Sequence, residues 1–492
     1  MVTDALDRAR ESFDRQAWAD AYAQLSTADR EAPLQPEDLE RLATAAHLVG
    51  KDADCADIWA RAHHGFQGRG EVERAARCAF WLAFGLFDRG EVARGGGWIA
   101  RARRLLDAGR QDCVEQGYLL FPAALQSIGE GDYTNAYATF TQAAEIGDRF
   151  GDPDLVTLAR HGQGRSLIRL GETAKGMALL DEIMVGVTTG EVSPIVVGDV
   201  YCGVISACQE IFDLRRAQEW TAALSHWCED QPDLVPYRGQ CLVRRAEIML
   251  LRGAWQDAMD EARRACERLS HPPGQPGLGA AFYQQAELHR LRGEFAGAEA
   301  AYREASRWGR NPQPGLAQLR LAQGQIEAAA AAIRQALDEA REPRTRSRLL
   351  PAHVEIAISA GDVPAARAAA DELSRIAADL DAPFLRAVSA HATGAVLLVE
   401  GDARAALATL RRGWTVWCEL EAPYEAARTR LLIGEACRAL GDADTGTLEL
   451  DAARQAFQRL GAVTDLARAK TLAPPPGARR PPAGLTAREI QV

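Results

Sequence analysis

The sequence predicts an all-α fold of stacked antiparallel helix pairs. Three observations lead there. First, the chain repeats itself: "GDYTNAYATFTQAAEIG" from Gly131 and "GEFAGAEAAYREASRWG" from Gly293 share one frame. Each has an aromatic two residues after the glycine, Ala five after, an aromatic nine after and Ala twelve after. These are Tyr133, Ala136, Phe140 and Ala143 in the first, and Phe295, Ala298, Tyr302 and Ala305 in the second. Second, copies of the frame sit mostly 40 or 41 positions apart, and a fixed period of this size is the signature of a stacked array. Third, each hinge glycine is followed by small and large residues at helical spacing. The small ones let two helices approach, and the large ones fill the gap to the next pair.

Taken in order, the hinges fall at 16, 50, 90, 131, 171, 212, 253, 293, 324, 361, 401 and 441. Gln16 opens the set with Trp18, Ala21, Leu25 and Ala28. Gly50 carries Cys55, Trp59 and Ala62, and Gly90 carries Val92, Ile99 and Ala102. Gly253 carries Trp255, Ala258, Ala262 and Ala265. Gly324 carries Ile326, Ala329, Ile333 and Ala336, and Gly361 carries Val363, Ala366 and Ala370. The frame is weaker at Gly171, Gly401 and Gly441, and Phe212 (with Leu214 and Ala217) stands where a glycine is expected. Glycine suits these places because it accepts positive φ without a steric cost, so it closes one helix and turns the chain into the next. One pair cannot bury its apolar stripe alone; neighbours stack and share a core.

The pattern resembles tetratricopeptide repeats with longer helices. That resemblance implies a tetratricopeptide-like α-solenoid, a superhelix of about twelve antiparallel helix pairs over residues 1–470, and a recognition surface as its business. Two stretches break the rhythm. "TTGEVSPIVVGDVY" (188–201) is a longer connection with Ser193 and Pro194 placed as N-cap and first helical residue, and "SHPPGQPGLG" (270–279) is a Pro/Gly loop. Both are expected on the surface, neither as a domain boundary.

Bulk composition excludes several classes. The 492 residues are 47% hydrophobic and 25% charged, with a formal net charge of −11. An acidic chain is not built to coat nucleic acid along its length. The ten cysteines are scattered, and the N-terminal "MVTDALDRARESFDRQAWADAY" is a charged amphipathic helix and not a secretion signal. These features predict a cytoplasmic protein with free thiols. No apolar run is long enough to span a bilayer, so no membrane partner is expected.

The charge changes at the end. From Thr471 onward, Arg479, Arg480 and Arg488 face only Glu489. "TLAPPPGARRPPAG" (471–484) has the prolines and glycines of a semi-rigid linker. Beyond it, Thr486 and Glu489 form a capping box that opens a helix. "LTAREIQV" (485–492) resembles the start of the helix-turn-helix domain of LuxR-type transcriptional regulators, through Leu485, Thr486, Arg488, Glu489 and Val492. The stretch "ARQAFQRLGAVTDLARAK" (453–470) resembles the last repeat before that domain. The resemblance implies the sensing arm of a transcription regulator, cut at the start of its DNA-binding domain. Its partners would be DNA, through a domain not included here, and a small-molecule or protein ligand in the concave groove, with a homodimer on DNA. No recognition helix follows, so no base-contacting residue can be named. The alternative is a stand-alone adaptor that binds a partner protein. No P-loop is found: "GQGRS" (162–166) and "GETAKGM" (171–177) fall inside the repeat frame.

No chemistry-bearing constellation emerges. Cys202 and Cys208 are six apart and face different sides of a helix, as do His226 and Cys228. No C-x-x-C, no H-x-x-x-H and no nucleophile elbow occurs, so neither a metal, a cofactor nor a catalytic residue is expected. His63 and His64 read as surface or groove residues. In tetratricopeptide-like stacks the first helix of each pair lines the concave face. On that reading Tyr201, Gln209, Tyr237, Gln240 and Arg244 converge on a groove, extended by "YQQAELHR" (283–290), while Trp220 and Trp227 pack behind. The competing reading is that these side chains are inter-helix core and ordinary surface.

Overall fold

The computed structural model describes residues 2–109, 112–229, 231, 234, 240–270 and 277–472, with the side chains of 2–4, 240 and 241 excepted. The expected linker from residue 473 onward and the whole LuxR-like phrase therefore lie outside the described residues, as do Tyr237 and most of the Pro/Gly loop, while Thr471 and Leu472, expected as linker, close the last helix.

Twenty-six helices and no strand occur among the described residues. They run as α1 (Val2–Asp14), α2 (Trp18–Glu31), α3 (Pro36–Leu48), α4 (Asp52–Arg69), α5 (Val72–Asp88), α6 (Val92–Gly109), α7 (Glu115–Tyr118), α8 (Phe121–Glu130), α9 (Tyr133–Phe150), α10 (Pro153–Arg169), α11 (Thr173–Thr189), α12 (Pro194–Glu210) and α13 (Leu214–Glu229). There follow α14 (Gln240–Leu251), α15 (Trp255–Leu269), α16 (Leu278–Leu291), α17 (Phe295–Arg307), α18 (Gly315–Ala322), α19 (Ile326–Glu339), α20 (Pro343–Ser359), α21 (Val363–Leu380), α22 (Pro383–Val399), α23 (Ala403–Glu419), α24 (Pro423–Ala439), α25 (Ala443–Leu460) and α26 (Val463–Leu472). Consecutive helices pair throughout, with α7 and α8 together acting as one first helix.

The turn inside each pair explains the period. All twelve hinge residues, from Gln16 to Gly441, have φ between 61° and 91°. This conformation costs a side-chain-bearing residue about 1–2 kcal/mol, which is why ten of the twelve are glycine. Gln16 and Phe212 adopt it nonetheless, at φ 61°. After Gly131, Gly361, Gly401 and Gly441 comes an aspartate whose carboxylate accepts the amide three residues on, capping the second helix.

Within a pair, the fifth and ninth residues after the hinge meet the residue seven before it. The ninth residue is buried in every pair, from Leu25 to Leu450. Its partner is small in most: Ala43, Ala83, Ala124, Ala246, Ala286 and Ala317 have no exposed surface, and Gly164, Gly394 and Gly434 take the same place. A Cβ on Gly434 would sit 2.7 Å from Leu450 Cγ and 3.0 Å from the Gly446 carbonyl oxygen. One on Gly164 would sit 2.8 Å from Leu180 and 3.0 Å from the Gly176 carbonyl oxygen. The two backbones therefore nearly touch, and the small residues five after the hinge serve that approach.

The chain divides into two compact units, a division not expected from the sequence. Unit 1 comprises residues 1–210, 215–245 and 263–281; unit 2 comprises 211–214, 246–262 and 282 onward. In unit 1, Ile195, Leu234 and Trp227 join the core built by Trp18, Leu39, Leu42, Trp59 and Phe66, and Trp18 Nε1 donates to Gln231 Oε1 at 2.7 Å.

Unit 2 carries a seam between turns. Phe212 stacks on Phe384 with ring centroids 5.8 Å apart and planes 5° from parallel. Leu214 and Leu251 pack with Trp417, Leu420 and Ala422, and Arg252 pairs with Glu421. Trp255 meets Tyr424 edge to face at 5.5 Å. A Cβ on Gly253 would lie 2.7 Å from Leu460 and 2.8 Å from Pro423, and one on Gly293 would lie 3.3 Å from Val463. So three hinges, at 212, 253 and 293, dock in register on the connections that lead into α22, α24 and α26. The two series advance by the same 40-residue step, which is why all three contacts form together.

Candidate interaction face

The first helices of unit 2 bring their polar side chains to one face. From α24, Arg428 donates to Glu355 of α20 at 3.1 Å and to its own Glu425 at 3.3 Å. It thus reaches past α22 to the helix beyond. From α22, His391 Nδ1 lies 3.0 Å from Thr429 Oγ1. Tyr424 donates to Asp465 of α26 at 2.9 Å. On α16, Arg290 pairs with Glu287 at 2.6 Å, and Glu287 also accepts from Tyr302. Tyr283 packs against Tyr302 at 5.7 Å, with the Arg310 guanidinium 5.2 Å from its ring.

Burial and charge oppose each other here. Burial pushes the Glu355 carboxyl up, yet Arg428 and, farther off, Arg468 and Arg290 hold it below the usual carboxylate range. Glu425 lies above that range because burial outweighs Arg428. Arg428 stays charged against the cost of burial through Glu355 and Glu425. His391 is pushed down to about 3, by burial first and by Arg428 second, so it is neutral. The side chains of Arg428, Glu425 and Glu355 nevertheless keep 21%, 27% and 33% of their surface exposed. The face is enclosed but wet.

Unit 1 holds a parallel arrangement. Arg77 of α5 donates to Glu115 at 3.0 Å and to Asp152 at 3.1 Å, and Tyr118 donates to Asp152 at 2.9 Å. The Arg77 guanidinium lies 4.2 Å from the Tyr118 ring centroid. A small cleft, partly open to solvent, is lined by His47, Asp52, Trp59, Trp81 and Arg89.

The expected groove residues are placed differently from one another. Tyr201 is 2% exposed and lies 6.2 Å from Trp227; it belongs to the packing of α12 on α13. Gln209 is also buried, its amide donating to the Arg244 carbonyl at 3.3 Å, so it ties α12 to α14. Arg244 is half-buried. Tyr237 and the Gln240 side chain lie outside the described residues. The face in unit 2 was missed, except for the stretch at 283–290. Its signal was available: glutamate stands six residues before hinges 253, 293, 361 and 441, as Glu247, Glu287, Glu355 and Glu435.

Two other expectations need correction. His63 is fully buried, its Nδ1 2.8 Å from the Ala75 carbonyl, so Nδ1 carries the proton. Its ring sits edge-on to Trp98 at 5.1 Å, and burial lowers its pKa. It is a core residue because Trp98 of the next pair covers it; His64 stays exposed. The thiols are not all free. Among the described residues eight cysteines form no disulfide, but Cys202 is disulfide-bonded. Among the described residues no group of three or more His, Cys, Asp and Glu converges as a metal site does, and no helix is long and apolar enough to cross a membrane.

The fold is a tetratricopeptide-like array of helix pairs. No protein-family model matches the chain, and no curated protein matches it. Among solved structures it is similar to the APC/C hetero-tetramer Cut9–Hcn1, at 13% identity over 94% of this chain and 95% of that one, with a TM-score of 0.39. It is similar to yeast Tom70 at 14% identity over 96% of each chain, with a TM-score of 0.34. It is similar to BtubC from P. vanneervenii at 20% identity, over 48% of this chain and 97% of that one, with a TM-score of 0.31.

Proposed function

We propose that this chain is a protein-interaction array that binds a partner protein through the first-helix face of unit 2. One observation carries the reading: charged groups from α20 and α24 and a neutral histidine from α22 converge there while Glu355, Glu425 and Arg428 remain partly exposed. Ion pairs that keep a fifth to a third of their surface in water are worth little individually, about 0–1 kcal/mol. A partner's carboxylate or guanidinium can therefore take the place of one member at small cost. The chain acts by binding and not by catalysis. Affinity capture with the immobilised chain, followed by Arg428→Glu, tests this. One protein is recovered in stoichiometric amount with the parent chain and is lost with the variant. Equal recovery by both removes unit 2 as the binding face.

A second reading is favoured by the C-terminal phrase alone. Leu485, Thr486, Arg488, Glu489 and Val492 suit the opening of a LuxR-type DNA-binding domain, which would make the array a sensing arm in a transcription regulator. On that reading a ligand seated beside Arg244, in the groove expected from Tyr201, Gln209, Tyr237 and Gln240, must bind two states of the array with different affinity. Sequencing the gene beyond the Val492 codon tests it: an open frame encoding a helix-turn-helix supports it, and a stop codon ends it.

A further inference from the structure

Cys202 of α12 stands apart from the other thiols. It is disulfide-bonded, while eight of the ten cysteines form no disulfide. That leaves Cys241, the second residue of α14, as its partner within the chain. The register of the array puts it there independently. Where successive hinges are 40 or 41 apart, hydrogen bonds between neighbouring first helices run at sequence offsets of 34 to 41 residues. The offset is 34 for Arg438 with the Leu472 carbonyl, 38 for Arg77 with Glu115 and 41 for Tyr424 with Asp465. On α12 and α14 themselves it is 35, for Gln209 with the Arg244 carbonyl. Cys202 and Cys241 are 39 apart.

The bond is within reach of water. After its first residue, α12 is buried except at Asp199, Cys202, Ser206 and Glu210, which are half-buried and follow one another along a single stripe. A small thiol can therefore approach Cys202 without unfolding the helix. In a chain that otherwise keeps its thiols, a lone disulfide is typically a transient or redox-sensing one and not a permanent brace.

We propose that Cys202 and Cys241 form a reversible redox staple between α12 and α14. A low-molecular-weight thiol such as glutathione opens it. Its thiolate attacks one sulfur, a mixed disulfide forms, and the other cysteine leaves as a thiolate and takes up a proton. A second thiol displaces the first, so two cysteine thiols and one oxidised glutathione result, with two electrons passed from the glutathione to the staple. Closing runs the same exchange backwards, with oxidised glutathione as the oxidant. Closed, the staple loops the chain around all of α13 and ties α12 to α14 beside the Gln209 hydrogen bond. Open, that hydrogen bond remains and the two first helices loosen from each other. The staple stands independently of both functional readings above.

Tryptic mapping of the full chain, treated with oxidised glutathione and alkylated without reductant, tests the pairing. The peptide that carries Cys202 is recovered linked to residues 239–244, which carry Cys241, and the link is absent from Cys241→Ser. Hydrogen–deuterium exchange in reduced and in oxidised glutathione then reads the device. Amides of α12 and α14 exchange roughly tenfold faster in the reduced buffer, slow again on reoxidation, and in Cys241→Ser stay fast in both. Unchanged circular dichroism checks that the variant and the reduced chain keep their helices. Cys202 recovered as a thiol after oxidised glutathione, or linked to any other cysteine, overturns the pairing. A link that reduced glutathione leaves closed, or exchange that ignores the buffer, overturns the staple as a reversible device.

Discussion

Single residues set the limits of this architecture, and glycine does so in three ways. At Gly434 the space for a side chain is gone: Leu450 and the Gly446 carbonyl occupy it. Gly434→Ala is expected to destabilise unit 2 by about 1–3 kcal/mol, the usual cost of overpacking. At Gly401 space is open but φ is 90°, so Gly401→Ala costs about 1–2 kcal/mol through strain alone. Gly97 lies within α6, exposed and with nothing near it, and Gly97→Ala should stabilise by about 0.5–1 kcal/mol. Urea unfolding of the three variants separates these causes, and a neutral Gly434→Ala would mean the pair is looser than described. His391 gives a pH signature. Its folded pKa is depressed to about 3 against an ordinary value near 6.5. The unfolded chain therefore binds the extra proton, and stability is intact above pH ~6.5 and falls as the pH drops toward 3. Glu425 and Glu435, raised by burial, act in the opposite sense at the lower end of that range. Comparison with His391→Gln isolates the histidine: the variant should lose about 1–2 kcal/mol less than the parent between pH 7 and pH 5. Equal slopes would show that His391 protonates freely in the fold.

At the scale of the helix pair, much was legible. Every hinge position read from the repeat has the left-handed conformation, including Gln16 and Phe212, where no glycine marks it. Legibility was high because all the determinants lie within about thirty residues of each other, inside the reach of one hairpin. The aspartate caps belong to the same local grammar. Asp402→Ala is expected to cost about 1 kcal/mol, the usual value of an N-cap, measurable as a lowered unfolding midpoint; no change would mean the Ala405 amide finds another acceptor. The small residue seven before most hinges was written in the sequence too, as Ala286, Gly394 and Gly434, but its meaning depends on seeing it face the buried residue nine after. The groove residues fared differently. Tyr201 and Gln209 sit on a first helix as expected, yet α13 and α14 cover them, and period alone cannot say which side of a first helix the next pair will cover.

At the scale of the whole molecule, sequence reading reached the fold class and stopped. Gly253 and Pro423 are 170 positions apart, and their contact depends on the small rotation between each pair and the next, accumulated over several pairs. No local pattern encodes that sum. The same holds for Arg428 reaching Glu355 past an intervening helix, and for the division into two units. Leu420→Ala tests the seam as a structural element: deleting a buried leucine costs about 2–5 kcal/mol, and the loss should appear in the unfolding of unit 2. A loss below 1 kcal/mol would mean that the turns touch without supporting the unit. The central claim is that the first-helix face of unit 2 receives a partner protein. Hydrogen–deuterium exchange of the full chain, with and without the captured partner, tests it most directly. The account predicts added protection in α20, α22 and α24 on binding. Protection confined to the second helices α21, α23 and α25, or to unit 1, would contradict it.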